Sequence, residues 1–391
     1  MKVLFTTQPA SGHFHPLVPF ARELVAAGHE VAIATSRSFC PTVEALGFRA
    51  IPVGLDWLES EPAVAFPEFK DVHPEEHTWF FFSIFFDKGL RAMLPDLLEA
   101  AASWRPDVIV REYWEPAGGF AAERLGIPSA TAGIGLFFPP QMFRDYFGQT
   151  IDELRSQYDL PPDPGAERLF GDLFLNILPP RYQSSEVKLP PNTEHIRPCV
   201  FDNIGDATLP EWVHSLADRP TVYASLGTVL NQATGVFERI LEGLRDEPIN
   251  LILTVGRNGD PARFGPQPEN VRIEQFIPQS LLFPHCDVVV THGGYNTVMA
   301  ALSAGLPMLI LPMGTDDPFH AQCCAELGVA KPLFPVDATA DAIRSAVSEV
   351  LGNPSYRERA ASMRRAIEAQ PGPGRVVELL SQLARSRESA S

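Results

Sequence analysis

Short apolar runs alternate with amphipathic segments along the whole chain. In the first half, the pattern predicts strands at 2–6, 30–35, 107–110 and 129–132, with helices at 16–27 and 116–125. The second half predicts strands at 221–225, 249–255, 271–274, 288–291 and 307–311, with helices at 234–244 and 297–304. Such alternation is typical of parallel sheets layered with helices. The chain is therefore predicted to have an α/β fold.

A proline-rich stretch separates the two halves. Residues 179–198 hold five prolines and show neither a helical nor a strand period. Segments of this composition behave as semi-rigid spacers. We therefore predict one domain over 1–205 and a second over 206–370, with a last helix at 375–384.

The composition of the chain excludes several kinds of binding partner and indicates the cellular compartment. The net charge of −17 argues against a nucleic-acid or anionic-membrane partner, because both require a basic face. The aromatic run 79–86 is shorter than the roughly 18 residues of a membrane span. The first 16 residues, MKVLFTTQPASGHFHP, reach Gly, His and Pro too soon to contain the apolar segment of a signal peptide. Five scattered cysteines show neither disulfide nor zinc spacing, so we expect a reduced, cytoplasmic protein.

The loop after the first predicted strand carries two histidines. It reads TTQPASGHFHP and lacks the G-x-G-x-x-G fingerprint of dinucleotide-binding proteins. His13 has the residue type of a general base near neutral pH; the alternative, which also applies to His15, is packing or capping at the helix start. Glu112 and Glu115 follow strand 107–110. If the two strands are neighbours, Glu112 reaches His13 and stabilises its imidazolium; alternatively, Glu112 is a solvated loop carboxylate.

Two glycine-containing turns in the second half lead from strand to helix. One is THGGYNT at 291–297 and the other is SLGT at 225–228. Glycines let a phosphate approach the backbone, and the helix amides and dipole attract an anion. The alternative is a tight local turn, but two such turns in one domain favour a diphosphate.

An acidic pair follows the last predicted strand. Asp316 and Asp317 are acceptors suited to sugar hydroxyls. The alternatives are a solvated loop and a metal site. A metal is disfavoured because no further carboxylate cluster accompanies the pair.

Together these segments resemble the GT-B glycosyltransferases that decorate natural products, in the bacterial macrolide-type group of the UDP-glycosyltransferase superfamily. The resemblance spans the chain through SGHFHP, SLGT, EQFIPQ (274–279), THGGYNT and DDPFHAQ (316–322). It implies two Rossmann-like domains facing across a cleft, with the acceptor mostly on the first and the nucleotide sugar on the second. It also implies that the C-terminal helix, within 371–391, crosses back to the first domain.

The resemblance also implies roles for individual residues. His13 matches the catalytic base, and Glu112 falls where relatives carry an acidic partner, often Asp. Phe276 matches an aromatic residue, often Trp, beside the nucleobase, and the backbone of Ile277 would read the base edge. Arg257 is a further candidate near the nucleotide. Asp316 and Asp317 match the pair, usually Asp-Gln, that holds the donor sugar. The remaining nucleotide-sugar contacts are implied for Ser225, Gly227, Thr228, His292, Gly293, Gly294, Asn296 and Thr297.

Aromatic residues are the candidates for an acceptor pocket. The stretch HTWFFFSIFF (77–86) and a later pair of phenylalanines are apolar enough to line it, and the candidates are Phe81, Phe85, Phe137 and Phe138. The alternative for each is a place in the core.

These assignments predict an inverting, metal-independent hexosyltransferase-type enzyme of antibiotic biosynthesis. It would move a sugar from a dTDP- or UDP-sugar to an apolar aglycone such as a polyketide, with the nucleotide sugar as substrate and no cofactor. The alternatives are a nucleotide-sugar 2-epimerase of the same fold and a non-catalytic nucleotide-binding partner protein. A homodimer is left open.

Overall fold

The computed structural model describes residues 1–73, 76–202, 205, 207–227, 235–256, 259–314 and 316–388. The chain folds into two compact units. The first unit comprises Met1–Phe201 and Gln370–Ser391, and the second comprises Asp202–Ala369. The divisions fall at 201/202 and 369/370, where the sequence led us to expect 205/206 and 370/371.

A parallel sheet forms the centre of the first unit. Among the described residues its seven strands run in the order β3-β2-β1-β4-β5-β6-β7. The strands are β1 (Lys2–Thr6), β2 (Glu30–Thr35), β3 (Arg49–Pro52), β4 (Val108–Glu112), β5 (Ser129–Gly133), β6 (Leu173–Asn176) and β7 (Thr193–His195). The β1 and β4 residues Val3, Leu4, Ile109 and Val110 are fully buried, as expected for central strands covered on both faces.

Helices surround this sheet. They are α1 (Ser11–Phe14), α2 (Val18–Ala26), α3 (Cys40–Glu44), α4 (Pro62–Ala65), α5 (His77–Ser83), α6 (Gly89–Trp104), α7 (Ala117–Leu125) and α8 (Pro140–Gln157). A π-helical turn over Ile84–Lys88 joins α5 to α6. The predicted helix 16–27 forms as a 3₁₀ turn, His15–Leu17, followed by α2.

The second unit repeats the architecture with a smaller sheet. Within its described part, six parallel strands run in the order β10-β9-β8-β11-β12-β13. They are β8 (Thr221–Ser225), β9 (Asn250–Thr254), β10 (Val271–Glu274), β11 (Val288–Thr291), β12 (Met308–Ile310) and β13 (Ala330–Pro332). The helices are α9 (Val236–Leu244), α10 (Gln279–Leu282), α11 (Tyr295–Ala304), α12 (Asp317–Glu326), α13 (Ala340–Gly352) and α14 (Pro354–Glu368).

The last helix, α15 (Arg375–Glu388), belongs to the first unit. It packs against α2 and β4, and its Val376 and Leu380 are fully buried. The backbone N–H of Arg197 donates to the Pro371 carbonyl (2.9 Å) just before it. Across the described ranges, no helix has both the length and the apolar character needed to cross a bilayer.

Each sheet contains one point where the chain reverses its direction of winding. In the first sheet it lies between β1 and β4, and in the second between β8 and β11. Open α/β sheets bind ligands in the crevice at the carboxyl ends of the strands at such a point. The histidine loop, the glutamate loop and the two glycine-containing turns that the sequence singled out follow these four strands, whereas the acidic pair follows β12.

The α/β prediction is confirmed, with two local corrections. Glu112 was expected in a loop, but β4 extends to include it because Glu112 pairs with Ala132 of β5. Residues 179–198 were expected to contain no strand, yet β7 forms there at the edge of the sheet. Its pairing with β6, for example His195 with Asn176, is tertiary and leaves no periodic signal in so short a segment.

Candidate active site

A histidine and a glutamate meet at the switch point of the first sheet. His13 lies in α1, just after β1, and Glu112 ends the neighbouring strand β4. The Nδ1 atom of His13 lies 3.0 Å from Oε1 of Glu112. The side chain of Glu112 is inaccessible to solvent, whereas that of His13 remains 14% exposed. The pair can therefore receive a substrate only from the His13 side.

Backbone donors hold the Glu112 carboxylate in place. Its Oε1 accepts the N–H of Gln8 (3.3 Å), and its Oε2 accepts the N–H of Trp114 (2.6 Å). A carboxylate has only acceptor sites, so Nδ1 of His13 carries the proton in their hydrogen bond. In the neutral imidazole the lone pair is then on Nε2, which is the arrangement that a general base requires.

A second carboxylate approaches the opposite edge of the same imidazole. Oε1 of Glu59 lies 3.8 Å from Nε2 of His13, and both side chains are 14% exposed. The N–H of Glu59 donates to the carbonyl of Pro9 (3.2 Å), which ties this loop to the loop that carries His13. The sequence analysis missed Glu59 because nothing in the pattern links residue 59 to residue 13.

Aromatic rings pack beside His13. The Phe85 ring makes an edge contact with the imidazole at 5.4 Å between centroids, and Trp57 and Phe81 lie within 6.2 Å of Phe85. Phe81 and Phe85 are 4% and 3% exposed. They form an apolar wall next to the dyad.

The other two acceptor candidates lie elsewhere in the first unit. Phe137 is 4% exposed and packs in the core against Phe170 and Phe174. Phe138 is half-buried beside Trp114, and its backbone exchanges hydrogen bonds with the hydroxyl of Tyr113. Phe85 therefore contacts His13 directly and Phe81 packs on Phe85, whereas Phe137, which is equally buried, packs against other aromatic residues.

A third glutamate, Glu115, is buried behind the dyad. The Thr6 hydroxyl and the Gly118 N–H donate to its carboxylate. Burial raises the pKa of Glu115 to about 7, although these donors and Arg111 oppose the shift. Glu115 also lines a cavity of about 10 Å³ with Trp57 and Phe85, room for about one water molecule.

His292 organises the switch point of the second sheet. It follows β11, is half-buried, and packs directly on two glycines. A Cβ atom at Gly227, after β8, would lie 2.5 Å from its Cε1, and one at Gly294 would lie 2.4 Å from its Nε2. Burial lowers the pKa of His292 to about 4, against the attraction of the nearby Asp316. The imidazole is therefore neutral at pH 7.

Hydroxyl groups line the same end of the second sheet. Ser225 ends β8 and is 8% exposed, and Thr297 is 9% exposed in the first turn of α11. The Thr297 hydroxyl lies 3.3 Å from the Nε2 of Gln279, which also approaches the Tyr223 hydroxyl at 3.4 Å. Gln279 ends the EQFIPQ segment, but its contact with Thr297 was not foreseen.

The carboxylates of Asp316 and Asp317 lie in different environments. The Asp316 carboxylate is 31% exposed, and its Oδ2 lies 3.1 Å from Nε2 of the buried His320. Asp317 is 1% exposed, and its Oδ2 accepts the N–H of Met313 (3.3 Å). Burial and the neighbouring Asp316 raise the pKa of Asp317. The two carboxylates were expected to act as a pair, but Asp317 points into the protein.

The structure describes most of the remaining residues that the sequence predicts to bind the nucleotide sugar. Phe276 is 36% exposed, as a ring that stacks on a base requires, and Ile277 is buried. Asn296 is half-buried in α11, and the positive φ of Gly293 (104°) allows the tight turn before that helix. Thr228 and Arg257 lie outside the described residues. Within the ranges described, no three His, Cys, Asp or Glu side chains are grouped to hold a metal ion.

Family models match both halves of the chain. Residues 22–227 match the N-terminal domain of erythromycin biosynthesis protein CIII-like proteins, and residues 239–383 match the C-terminal domain. Together the two matches cover most of the sequence.

Curated relatives and solved structures agree with these matches. The chain is 30% identical to 4'-demethylrebeccamycin synthase from Lentzea aerocolonigenes, over 98% of this chain and 99% of that protein. It is 29% identical to 10-deoxymethynolide desosaminyltransferase from Streptomyces venezuelae, over 98% and 97%. The structure of the glycosyltransferase VinC in complex with dTDP superimposes with a TM-score of 0.80 at 27% identity, covering 99% of this chain and 100% of that one. The chain therefore belongs to the erythromycin biosynthesis protein CIII-like family and is a GT-B natural-product glycosyltransferase.

Proposed function

We propose that this glycosyltransferase moves a sugar from a dTDP- or UDP-sugar to a hydroxyl group of an apolar aglycone, such as a polyketide, with inversion at the anomeric carbon. The observation that carries the proposal is the 3.0 Å contact between His13 and Glu112. The donor class is supported by the dTDP complex of VinC and the acceptor class by the names of relatives such as 10-deoxymethynolide desosaminyltransferase.

His13 is the general base of the proposed reaction. Its Nε2 takes the proton of the acceptor hydroxyl as the oxygen attacks the anomeric carbon. The buried carboxylate of Glu112 holds the Nδ1–H and stabilises the imidazolium that forms. A positioned base contributes roughly 10²- to 10⁴-fold to such a rate. As the new C–O bond forms, the bond from the anomeric carbon to the diphosphate breaks on the opposite face, which inverts the configuration.

The leaving diphosphate is stabilised by donors of the second unit. The ten-residue helix α11 begins beside His292, and its first N–H groups suit an anion. A neutral His292 adds a hydrogen-bond donor, and Thr297 adds a hydroxyl group. These preorganised donors can stabilise the developing charge without a metal ion. Asp316, the accessible member of the acidic pair, binds hydroxyl groups of the donor sugar.

Phe276 and Ile277 bind the nucleobase of the donor.

The aromatic wall of Phe81, Phe85 and Trp57 favours an apolar acceptor. A ring of the aglycone packs on this wall and brings its hydroxyl to Nε2 of His13. Burial of aromatic surface supplies most of the affinity in such sites, and a few polar groups fix the orientation.

Mass spectrometry tests the proposed activity. Purified protein is incubated with dTDP- and UDP-linked α-glucose and with macrolide and aromatic polyketide aglycones. We expect a glycosylated product, and we expect its proton NMR spectrum to show a β-linked sugar. An α-linked product would contradict inversion. A control without aglycone distinguishes the rival activity, because an epimerised nucleotide sugar in that sample would overturn the transferase assignment.

A further inference from the structure

The chain turns between β4 and α7 at residues 112–115, and side chains bind all four carbonyl groups of this β4–α7 turn. The hydrogen atoms on Nη1 of Arg111 are shared among three of them, the carbonyls of Glu112 (3.1 Å), Tyr113 (2.9 Å) and Glu115 (3.1 Å). Nε2 of Gln8, in the loop after β1, donates to the carbonyl of Trp114 (3.0 Å). Two side chains therefore hold four consecutive peptide groups.

Arg111 is itself buried in the first unit. It lies on β4, is 2% exposed, and also donates from Nη2 to the carbonyl of Leu169. The carboxylates of Glu115 and Glu112 attract its positive charge. Burial of a charged group costs free energy that a well-packed apolar side chain of similar volume avoids. The presence of an arginine here is therefore explained by its hydrogen bonds to the turn and not by the filling of space.

The turn orients the Glu112 carboxylate through Trp114. The N–H of Trp114 donates to Oε2 of Glu112 (2.6 Å), whose Oε1 lies 3.0 Å from Nδ1 of His13. This N–H and the Tyr113 carbonyl belong to one peptide group, which is planar. The bond from Arg111 to the Tyr113 carbonyl consequently also fixes the direction of the N–H that holds the carboxylate.

Gln8 acts on the same carboxylate from the neighbouring loop. Its side chain holds the carbonyl of Trp114, in the next peptide plane, and its own N–H donates to Oε1 of Glu112 (3.3 Å). Gln8 is 6% exposed. The two backbone N–H groups that bind the Glu112 carboxylate are therefore oriented by Arg111 and Gln8.

We propose that Arg111 and Gln8 are positioning residues of the transfer reaction: they hold the β4–α7 turn so that Glu112 keeps the imidazole of His13 in its reactive orientation. The proposal rests on the proposed function, in which His13 is the general base. Neither residue touches the substrate in this role. Displacement of a catalytic group by about 1 Å can cost roughly 10²-fold in rate. Loss of either side chain should therefore slow the step that needs the base more than any other.

Two acceptors measured on the same enzyme preparation test this role. One has an aliphatic hydroxyl group, which needs a base, and the other is an acidic phenol that is already ionised at the assay pH. The readout is the kcat for the phenol divided by the kcat for the aliphatic acceptor. A loss of folded protein lowers both rates equally and cancels in this ratio.

Arg111→Gln should raise the ratio by roughly 10- to 100-fold, because the turn and with it the dyad are displaced. Arg111→Lys keeps the charge but not the planar fork of donors, so it should raise the ratio by less. Gln8→Met removes the bond to the Trp114 carbonyl and should raise the ratio by roughly 2- to 10-fold, the range for one net hydrogen bond.

Arg155→Lys is the control. Arg155 is a buried arginine of the same unit, 3% exposed, and its described hydrogen bonds go to Glu123 and Pro161. This variant should keep the wild-type ratio even if it loses stability.

An unchanged ratio in Arg111→Gln or in Gln8→Met would overturn the role of that residue, and a rise in Arg155→Lys as large as in the Arg111 variants would reduce the effect to general destabilisation. If Arg111→Gln does not fold, Arg111→Lys and Gln8→Met decide. His13→Ala separates the two levels of the account. If it leaves the ratio unchanged, His13 is not the base and the proposed function fails; if it raises the ratio and the Arg111 and Gln8 variants do not, only the positioning role fails.

Discussion

Gly227 and His292 are in such close contact that the glycine has no room for a side chain. A Cβ atom at Gly227 would lie 2.5 Å from Cε1 and 2.8 Å from Nε2 of His292. The sequence analysis named this glycine as a contact of the diphosphate, and the structure shows in addition that its lack of a side chain leaves room for the imidazole. Gly227, which follows β8, and His292, which follows β11, are therefore packed against each other.

The first prediction concerns this contact. Gly227→Ala should displace His292 and weaken binding of dTDP at least roughly tenfold, because several donors of the anion site move together. Gly265→Ala is a matched control: both glycines have positive φ (76° and 65°), but a Cβ at Gly265 meets no atom within 4 Å. Isothermal titration calorimetry with dTDP separates the two. If both variants lost the same amount of dTDP affinity, backbone strain and not the contact with His292 would be responsible.

The second prediction separates the diphosphate from the sugar. His292→Ala and Thr297→Ala should each weaken dTDP binding roughly 2- to 10-fold, the range for one net hydrogen bond. Asp316→Ala should leave dTDP binding unchanged and weaken only the binding of the dTDP-sugar. Isothermal titration calorimetry with dTDP and with the dTDP-sugar measures the two affinities for each variant. A similar loss for both ligands in Asp316→Ala would contradict its assignment to the sugar.

The third prediction uses the buried Glu115. Its pKa is about 7 in the folded protein against 4.5 for an ordinary glutamate. Between these pH values the folded protein holds a proton that the unfolded chain releases, so this group makes stability fall as the pH rises. Glu115→Gln removes the effect. The variant should gain stability over the wild type between pH 4.5 and 7, by roughly 3 kcal/mol in total.

Urea denaturation at several pH values measures this gain. The difference between the two midpoints should widen up to pH 7 and then stay constant. Glu99→Gln, an exposed residue of α6, controls for the loss of one negative charge. A difference between Glu115→Gln and the wild type that does not vary with pH would contradict a buried carboxyl group that titrates late.

The fourth prediction is that transfer needs no metal ion. The proposed donors to the leaving diphosphate are N–H groups, His292 and Thr297, and the accessible carboxylate, Asp316, is assigned to the sugar. Excess EDTA should therefore leave the transfer rate within about twofold, well below the 1.4 kcal/mol that corresponds to a tenfold change. Loss of the activity on chelation, with recovery on adding Mg²⁺ or Mn²⁺, would show that the leaving group is stabilised differently.

The sequence predicted the strands that have a clear apolar pattern. Strands β1, β2, β8 and β11 have the bounds expected because buried parallel strands are largely continuous apolar runs, and the edge strand β10 has them because its apolar and polar residues alternate. The edge strands β3, β7 and β13 and the interior strand β6 were not predicted. Each is three or four residues long and is fixed by pairing with a neighbour, so a local pattern does not indicate it.

Within the site, residues close to a strand end were predictable and others were not. The approach of Glu112 to His13 follows from the pairing of β1 with β4, which the sequence analysis made the condition for this contact. Glu59 was not foreseen because its loop reaches His13 through tertiary contacts alone. The inward orientation of Asp317 was not foreseen either, since adjacent aspartates look equivalent until the first turn of α12 is known.

The role of His13 is tested most directly by comparing two acceptors of different acidity. An aliphatic hydroxyl needs a base, whereas an acidic phenol that is already ionised at the assay pH does not. His13→Ala should lower kcat with the aliphatic acceptor by roughly 10²- to 10⁴-fold and should affect the ionised phenol far less. His15→Ala, a neighbouring histidine whose ring packs on Phe201, should leave both rates near the wild-type values. Near wild-type turnover of the aliphatic acceptor by His13→Ala, or an equal loss with both acceptors, would contradict the assignment of His13 as the base.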